Sequence, residues 1–169
     1  MTRFDRPQPA LKPGSAIAWL SAIALLSLGA VATALVSQHV FDMQPCPWCV
    51  LQRGILVAIA LACILGLLWR SAAGRVVSAS LVFLLAASGA AASAWQHFVA
   101  AKSASCNLTL ADKIVSALKL DTLLPSVFSA TANCADAAVN LFGVPYDFWA
   151  LGLFAMLALM GVRQFAARA

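Results

Sequence analysis

The chain has 169 residues, of which 63% are hydrophobic and only 10% charged, with a net charge of +5 and a mean hydropathy of +0.91. Soluble globular domains carry about a quarter charged residues, so this composition excludes an ordinary water-soluble domain and points to a membrane protein. The basic excess does not call for a nucleic acid, because the eleven Lys and Arg residues are scattered near the ends of apolar runs rather than clustered on one face.

A helical span needs about 20 predominantly apolar residues. Ser15 to Val36 supplies the first, Val50 to Trp69 the second and Val76 to Trp95 the third. The fourth apolar core, Phe148 to Val162, has only 15 residues; counted from Leu141 it reaches 22 but then contains Pro145 and Asp147, so an irregular or interfacial outer end is expected. The first run resembles a signal peptide in its small residues near "AVATALVSQ", yet it is long for the 7 to 15 apolar residues of such a segment. It is therefore read as a span.

Orientation follows from the cations. Placing the short "RSAAGR" turn on the cytoplasmic side puts Arg3, Arg6, Lys12, Arg70, Arg75, Arg163 and Arg168 there together, and five of the six aspartates outside. Both termini are then cytoplasmic, with outer loops at about 37–49 and 96–145. In the long loop, "TLADKIVSALKL" sets Leu110, Ile114, Val115 and Leu118 on one helical face opposite Asp112, Lys113 and Lys119. That pattern fits a short helix lying on a membrane, or equally one packed on top of the bundle. The predicted fold is a single-domain, all-α membrane protein: a four-transmembrane-helix bundle over residues 1–169 with a long outer loop carrying a short interfacial helix.

Four of the five cysteines, Cys46, Cys49, Cys106 and Cys134, fall on the outer side, where thiols pair in an oxidising compartment. Proximity makes Cys46 with Cys49 the first bridge, leaving Cys106 with Cys134 across 27 intervening residues. For the second pair alone a structural staple is the simpler reading. The first closes too small a loop to remove much chain entropy and suits redox work better. A zinc ribbon would need two CxxC elements, and haem attachment would need a histidine where Val50 stands. No metal is expected. Cys63, mid-span, has no motif partner and reads as a small packing residue.

Pro45 and Pro47 flank Cys46, which predicts a helix start with Cys46 near the N-cap and Cys49 in the first turn, where free amides and the helix dipole favour a thiolate. Arg53 lies four residues after Cys49, on the same face and one turn deeper. At that depth it either snorkels outward or holds an anion or a polar cofactor head, and the second is preferred because ionisable residues inside a membrane default to function.

Together, "QHV", "PCPWC" and Arg53, a cysteine after the third span, "NCA" at Cys134 and "LFGVPYDFWALGLF" resemble the disulfide bond formation protein B (DsbB) family across nearly the whole chain. The resemblance implies a bacterial inner-membrane enzyme that reoxidises a periplasmic DsbA-like thiol oxidase and reduces a quinone, ubiquinone or menaquinone. It further implies that Cys106 takes the mixed disulfide, that Cys134 resolves it, and that Cys46 and Cys49 form the quinone-proximal pair. Cys49 would meet the quinone, with Arg53 beside the ring and His97, in "WQHF", near the site; unaided, His97 reads as an interfacial histidine. The chain departs from the family pattern in the bulkier Pro47-Trp48 between its cysteines, in Gln52 where an acidic residue can occur, and in the early proline of "GVPYDFW".

Overall fold

The computed structural model describes residues 13–69, 71–102, 109–137 and 139–166. Its elements in chain order are α1 (Pro13–Val40), α2 (Pro47–Leu68), α3 (Ala72–Phe98), a single 3-10 turn (Ala100–Lys102), α4 (Leu110–Ala117), α5 (Leu120–Leu123), α6 (Pro125–Phe128), β1 (Asn140–Leu141), β2 (Val144–Pro145) and α7 (Tyr146–Ala166). Stretches of α1, α2, α3 with its 3-10 turn, and α7 are each long and apolar enough to cross a membrane: Ala16–Val40, Pro47–Leu68, Ala72–Lys102 and Tyr146–Gln164. The chain is a multi-pass, four-helix membrane protein, as the hydropathy pattern predicts.

The helices run past the apolar cores at most ends. The first continues to Val40 rather than stopping at Val36, and the second begins at Pro47, because proline lacks the N–H that the first turn could not use. Ser71 caps α3 by accepting from the Gly74 N–H at 3.0 Å. The fourth span starts at Tyr146, directly after a two-stranded hairpin that pairs Asn140 with Pro145 and Leu141 with Val144. Its two turn residues, Phe142 and Gly143, both have positive φ, as a tight hairpin turn requires. The irregular outer end anticipated for this span is that hairpin.

Inside the bundle, α3 packs against α2 and α7, and α1 packs against α2. Leu20, Ile23, Ile59, Val82, Phe154 and Leu157 are buried where these helices meet. With lipid outside as apolar as the core, close approach must come from small residues and interhelical hydrogen bonds. Gly89 provides the first: a Cβ there would collide with the ring of Phe154 on α7. Ser78 provides the second, donating from α3 to the Ala62 carbonyl of α2 at 2.7 Å. Outward-facing Leu25, Leu65, Leu84 and Leu159 remain exposed, as a lipid-facing surface demands.

The long loop between α3 and α7 covers the N-terminal end of α2. Thr109 and Asp112 form a reciprocal capping box that starts α4. Here the predicted face needs correction: Ala111 and Val115 are buried against the bundle top, whereas Leu110 and Leu118 are more than half exposed. The reason is tertiary, since Val115 joins Val50 and Phe128 in a small cluster that clamps α4 and α6 onto α2. Cys106 lies outside the described residues, as do Arg3, Arg6, Lys12, Arg70 and Arg168.

Candidate functional site

The site is assembled around the N-terminus of α2. Cys46 is the N-cap, in extended conformation, and its Sγ accepts from the Cys49 N–H at 3.4 Å. One helical turn brings the two sulfurs to 2.9 Å, so that only a small closure separates this contact from a covalent bridge. This part of the geometry follows from the local sequence alone.

A third sulfur joins them through the tertiary structure. The backbone N–H groups of Thr131 and Ala132 donate to the Pro45 carbonyl at 3.0 and 3.3 Å, and the Thr131 hydroxyl donates to Gln44 at 2.6 Å. These bonds hang the 131–137 loop over the start of α2 and set Cys134 in hydrogen-bonding contact with Cys46. Cys46 is fully buried between Cys134 and Cys49, and its thiol is pushed far up from the usual range, first by its bond to Cys134, then by Cys49 and by burial. The Cys134 thiol is lowered, chiefly because Cys46 donates to it, with the Trp48 backbone adding a second donor. Burial between two sulfurs thus works against a thiolate at Cys46, contrary to what the N-cap position by itself suggests.

Arg53 is buried and does not snorkel. Its Nη1 donates to Gln38 Oε1 at 2.5 Å and to the Val127 carbonyl at 3.0 Å, while Nη2 donates to the Ala34 carbonyl at 3.3 Å. One guanidinium thus ties α1, α2 and the end of α6 together. It also lines a cavity of about 750 Å³ between α1, α2 and α7, whose polar wall includes Cys49, Gln52, Arg53 and Tyr146, with Asp42 and Asp136 also on it, and whose apolar wall includes Leu56, Trp149 and Phe154. A largely apolar cleft with a few convergent polar groups is the usual form of a small-molecule site.

His97 is not in the wall of this cavity. Its Nδ1 lies 3.3 Å from Asp147 Oδ2, and its ring packs against Phe148 and Phe98. Asp147 in turn accepts from Gln96 Nε2 at 2.5 Å, and the same amide nitrogen donates to Cys49 Sγ at 3.2 Å. Gln96 Oε1 accepts from Gln52 Nε2 at 2.8 Å, which completes a buried polar chain from α2 through α3 to α7. Sequence reading missed Gln96 and Asp147. The available signal was their position, since both stand in or beside apolar spans at the same outer end as Cys49, where polar side chains are costly without a purpose. Cys63, by contrast, is fully buried among Leu56, Ile59 and Ala62, in keeping with packing.

This end of the bundle brings the sulfurs of Cys46 and Cys49, a loop sulfur, a buried arginine and an apolar cleft within reach of one another, and sequence comparisons assign the chain to a family. The sequence model of disulfide bond formation protein DsbB matches residues 16–163. The chain belongs to the DsbB family. A disulfide bond formation protein B from Herminiimonas arsenicoxydans is 33% identical over 141 residues, covering 83% of this chain and 89% of the relative. One from Burkholderia pseudomallei is 33% identical over 138 residues, with 81% and 82% covered. Disulfide bond formation protein B 1 of Pseudomonas aeruginosa is 31% identical over 157 residues, with 90% and 93% covered. Membership in the DsbB family makes this protein a membrane-embedded, disulfide-forming oxidoreductase.

Proposed function

We propose that this DsbB-family protein reoxidises a periplasmic DsbA-like thiol oxidase in the bacterial inner membrane and delivers the electrons to a quinone, with both termini cytoplasmic. The observation that carries the reading is the line of sulfur from loop to cleft: Cys134 against Cys46, Cys46 at 2.9 Å from Cys49, and Cys49 on the cavity wall. A pair of structural staples needs no such continuity.

The chain's own residues perform the exchanges in order. The thiolate of the reduced oxidase attacks Cys106, forming a mixed disulfide, breaking the Cys106 to Cys134 bridge and placing the electron pair on Cys134 Sγ. Cys134 then attacks Cys46, which forms the Cys46 to Cys134 bond, breaks Cys46 to Cys49 and leaves the pair on Cys49 Sγ at the cavity wall. The oxidase's second thiol releases Cys106, and Cys106 returns to Cys134, which frees Cys46 to close again on Cys49 as the pair gives up its two electrons and two protons. The residues lining the cleft fit a quinone: Arg53 and Tyr146 offer donors to a polar head, and Leu56, Trp149 and Phe154 offer an apolar wall to the rest. A quinone held there supplies the sink for two electrons and two protons, which a thiol pool could not, since DsbA-type oxidases stand near about −120 mV. His97 serves behind Asp147 rather than against the quinone. Membrane lipid surrounds the four spans.

Purified protein with added quinone should oxidise reduced DsbA-type oxidase catalytically. Absence of turnover beyond one equivalent would sink the reading. An oxidase variant lacking its second active-site thiol should be trapped on Cys106, because the thiol that completes the exchange is missing; recovery of the adduct on Cys134 would reverse the assigned roles.

A further inference from the structure

Gln96 occupies an unusual position for a side-chain amide. It is buried in the outer end of α3, and all of its strong hydrogen-bonding capacity is directed at three named groups: Nε2 donates to Cys49 Sγ and to Asp147 Oδ1, and Oε1 accepts from Gln52 Nε2. The amide has two N–H bonds, and both are used. A flipped amide would turn its oxygen toward the Asp147 carboxylate and lose that bond, whereas Gln52, itself an amide, can flip with it and keep its own. Asp147 therefore locks the orientation in which an N–H, and not an oxygen, faces the cysteine sulfur, and the Gln52 amide follows it.

From this geometry we infer that Gln96 is a catalytic hydrogen-bond donor to Cys49, with Asp147 as the positioning residue that holds its amide in the donating orientation. The inference rests on the relay proposed above. When a thiolate attacks Cys46 and the Cys46 to Cys49 bond breaks, the departing electron pair collects on Cys49 Sγ, the atom at which the Gln96 N–H points. A donor already in place at a leaving thiolate stabilises the transition state as it stabilises the product, without reorganisation. The other groups facing this sulfur are Cys46, Cys134, Arg53, Tyr146 and, through the Gln96 amide, Asp147 with its partner His97. Of these, Arg53 donates to Gln38, Ala34 and Val127 and not to Cys49, so Gln96 is the side-chain N–H bonded directly to Cys49 among the described residues.

Asp147 offers a test by sign. If its charge alone acted on Cys49, removing it would favour the thiolate. If it acts by orienting Gln96, removing its acceptor must disfavour the thiolate.

The experiment is the rate of iodoacetamide labelling at Cys49 in the reduced full-length protein in detergent, resolved from Cys46 by peptide fragmentation and followed from neutral to alkaline pH. No quinone or thiol oxidase is added, so failure of the relay would leave these curves untouched. Gln96→Leu should slow labelling about tenfold at neutral pH, the scale of a lost hydrogen bond to a charged group, and its curve should meet the parent's in alkali, where both are thiolate. Asp147→Leu should slow labelling by about threefold, because the amide then turns between its two orientations and donates to Cys49 only part of the time. Equal neutral rates for Gln96→Leu and the parent would overturn the donor role. So would a deficit that persists undiminished into alkali, which would mark a steric effect, and faster labelling in Asp147→Leu would overturn the orientation lock.

Discussion

Cys49 and Cys63 lie on the same helix, 14 residues apart, and their surroundings differ in every respect that matters for chemistry. Cys49 has Cys46 at 2.9 Å, the Gln96 amide at 3.2 Å and a cleft in front of it. Cys63 has Leu56, Ile59, Ala62 and the other side chains of the apolar core. A thiol becomes a redox group through neighbours that stabilise its anion and admit a partner, and the same side chain without them is a small hydrophobe. The outer third of α2 is arranged for the first outcome and the remainder for the second.

The sharpest break between the two regions is complete loss against no loss. Cys46→Ser and Cys49→Ser should each reduce quinone-linked turnover to background, while Cys63→Ala retains it within about twofold, since its cost is a small cavity of about 1 kcal/mol in the core. Steady-state oxidase oxidation by the three variants checks this, and a largely active Cys49→Ser would dissolve the contrast.

Arg53 sits at the border and should show both kinds of effect. Arg53→Met removes a donor from the cleft wall, so the apparent KM for quinone should rise about tenfold, the scale of one charged hydrogen bond. It also strands the Ala34 and Val127 carbonyls and Gln38, so thermal stability should fall by about 2 kcal/mol, an effect that the sequence position alone does not announce. Arg53→Lys should restore only part of each, because one ammonium cannot reach three acceptors on two elements. Quinone titrations and melting curves on both variants separate the two contributions.

The readiness of the loop sulfur makes the next comparison. With the Cys134 thiol lowered and the Cys46 thiol raised, the fraction of thiolate at neutral pH must favour Cys134. As pH falls, Cys134 is the last of the two to lose its anion, and as pH rises it is the first to gain it. Alkylation of the reduced protein at about pH 7 should therefore label Cys134 at least about fivefold faster than Cys46. Preferential labelling of Cys46 would contradict the cluster's order. In the inner region the smallest catalytic effect is expected. Gly89→Ala should lower stability by about 1–3 kcal/mol by pushing α3 from Phe154, yet leave turnover per folded molecule unchanged. A specific loss of turnover in the folded fraction would show that the core transmits to the site.

Several parts of this protein could be read without a fold. Four spans follow from runs of apolar residues because a backbone in lipid must satisfy its own hydrogen bonds, and a helix does so locally. Cys46 as N-cap and Cys49 in the first turn follow from Pro47 and the spacing, since one turn of helix fixes both. The packing role of Cys63 follows from the uninterrupted apolar context.

Other parts required the chain to be folded, because they join residues whose separation no periodicity encodes. Cys134 meets Cys46 only through Thr131 and Ala132 bonding to Pro45, and a loop's landing place depends on the whole bundle top. The buried face of α4 was set by Val50 and Phe128 beneath it, which outweighed the amphipathic pattern that favoured Leu110 and Leu118. Arg53, on the wall of the cleft, found carbonyls on α1 and α6, and Asp147, in the first turn of a span, found Gln96 and His97. Local sequence determined which groups would be costly to bury in lipid; tertiary structure decided which partners would offset that cost, because each partner comes from a different helix or loop.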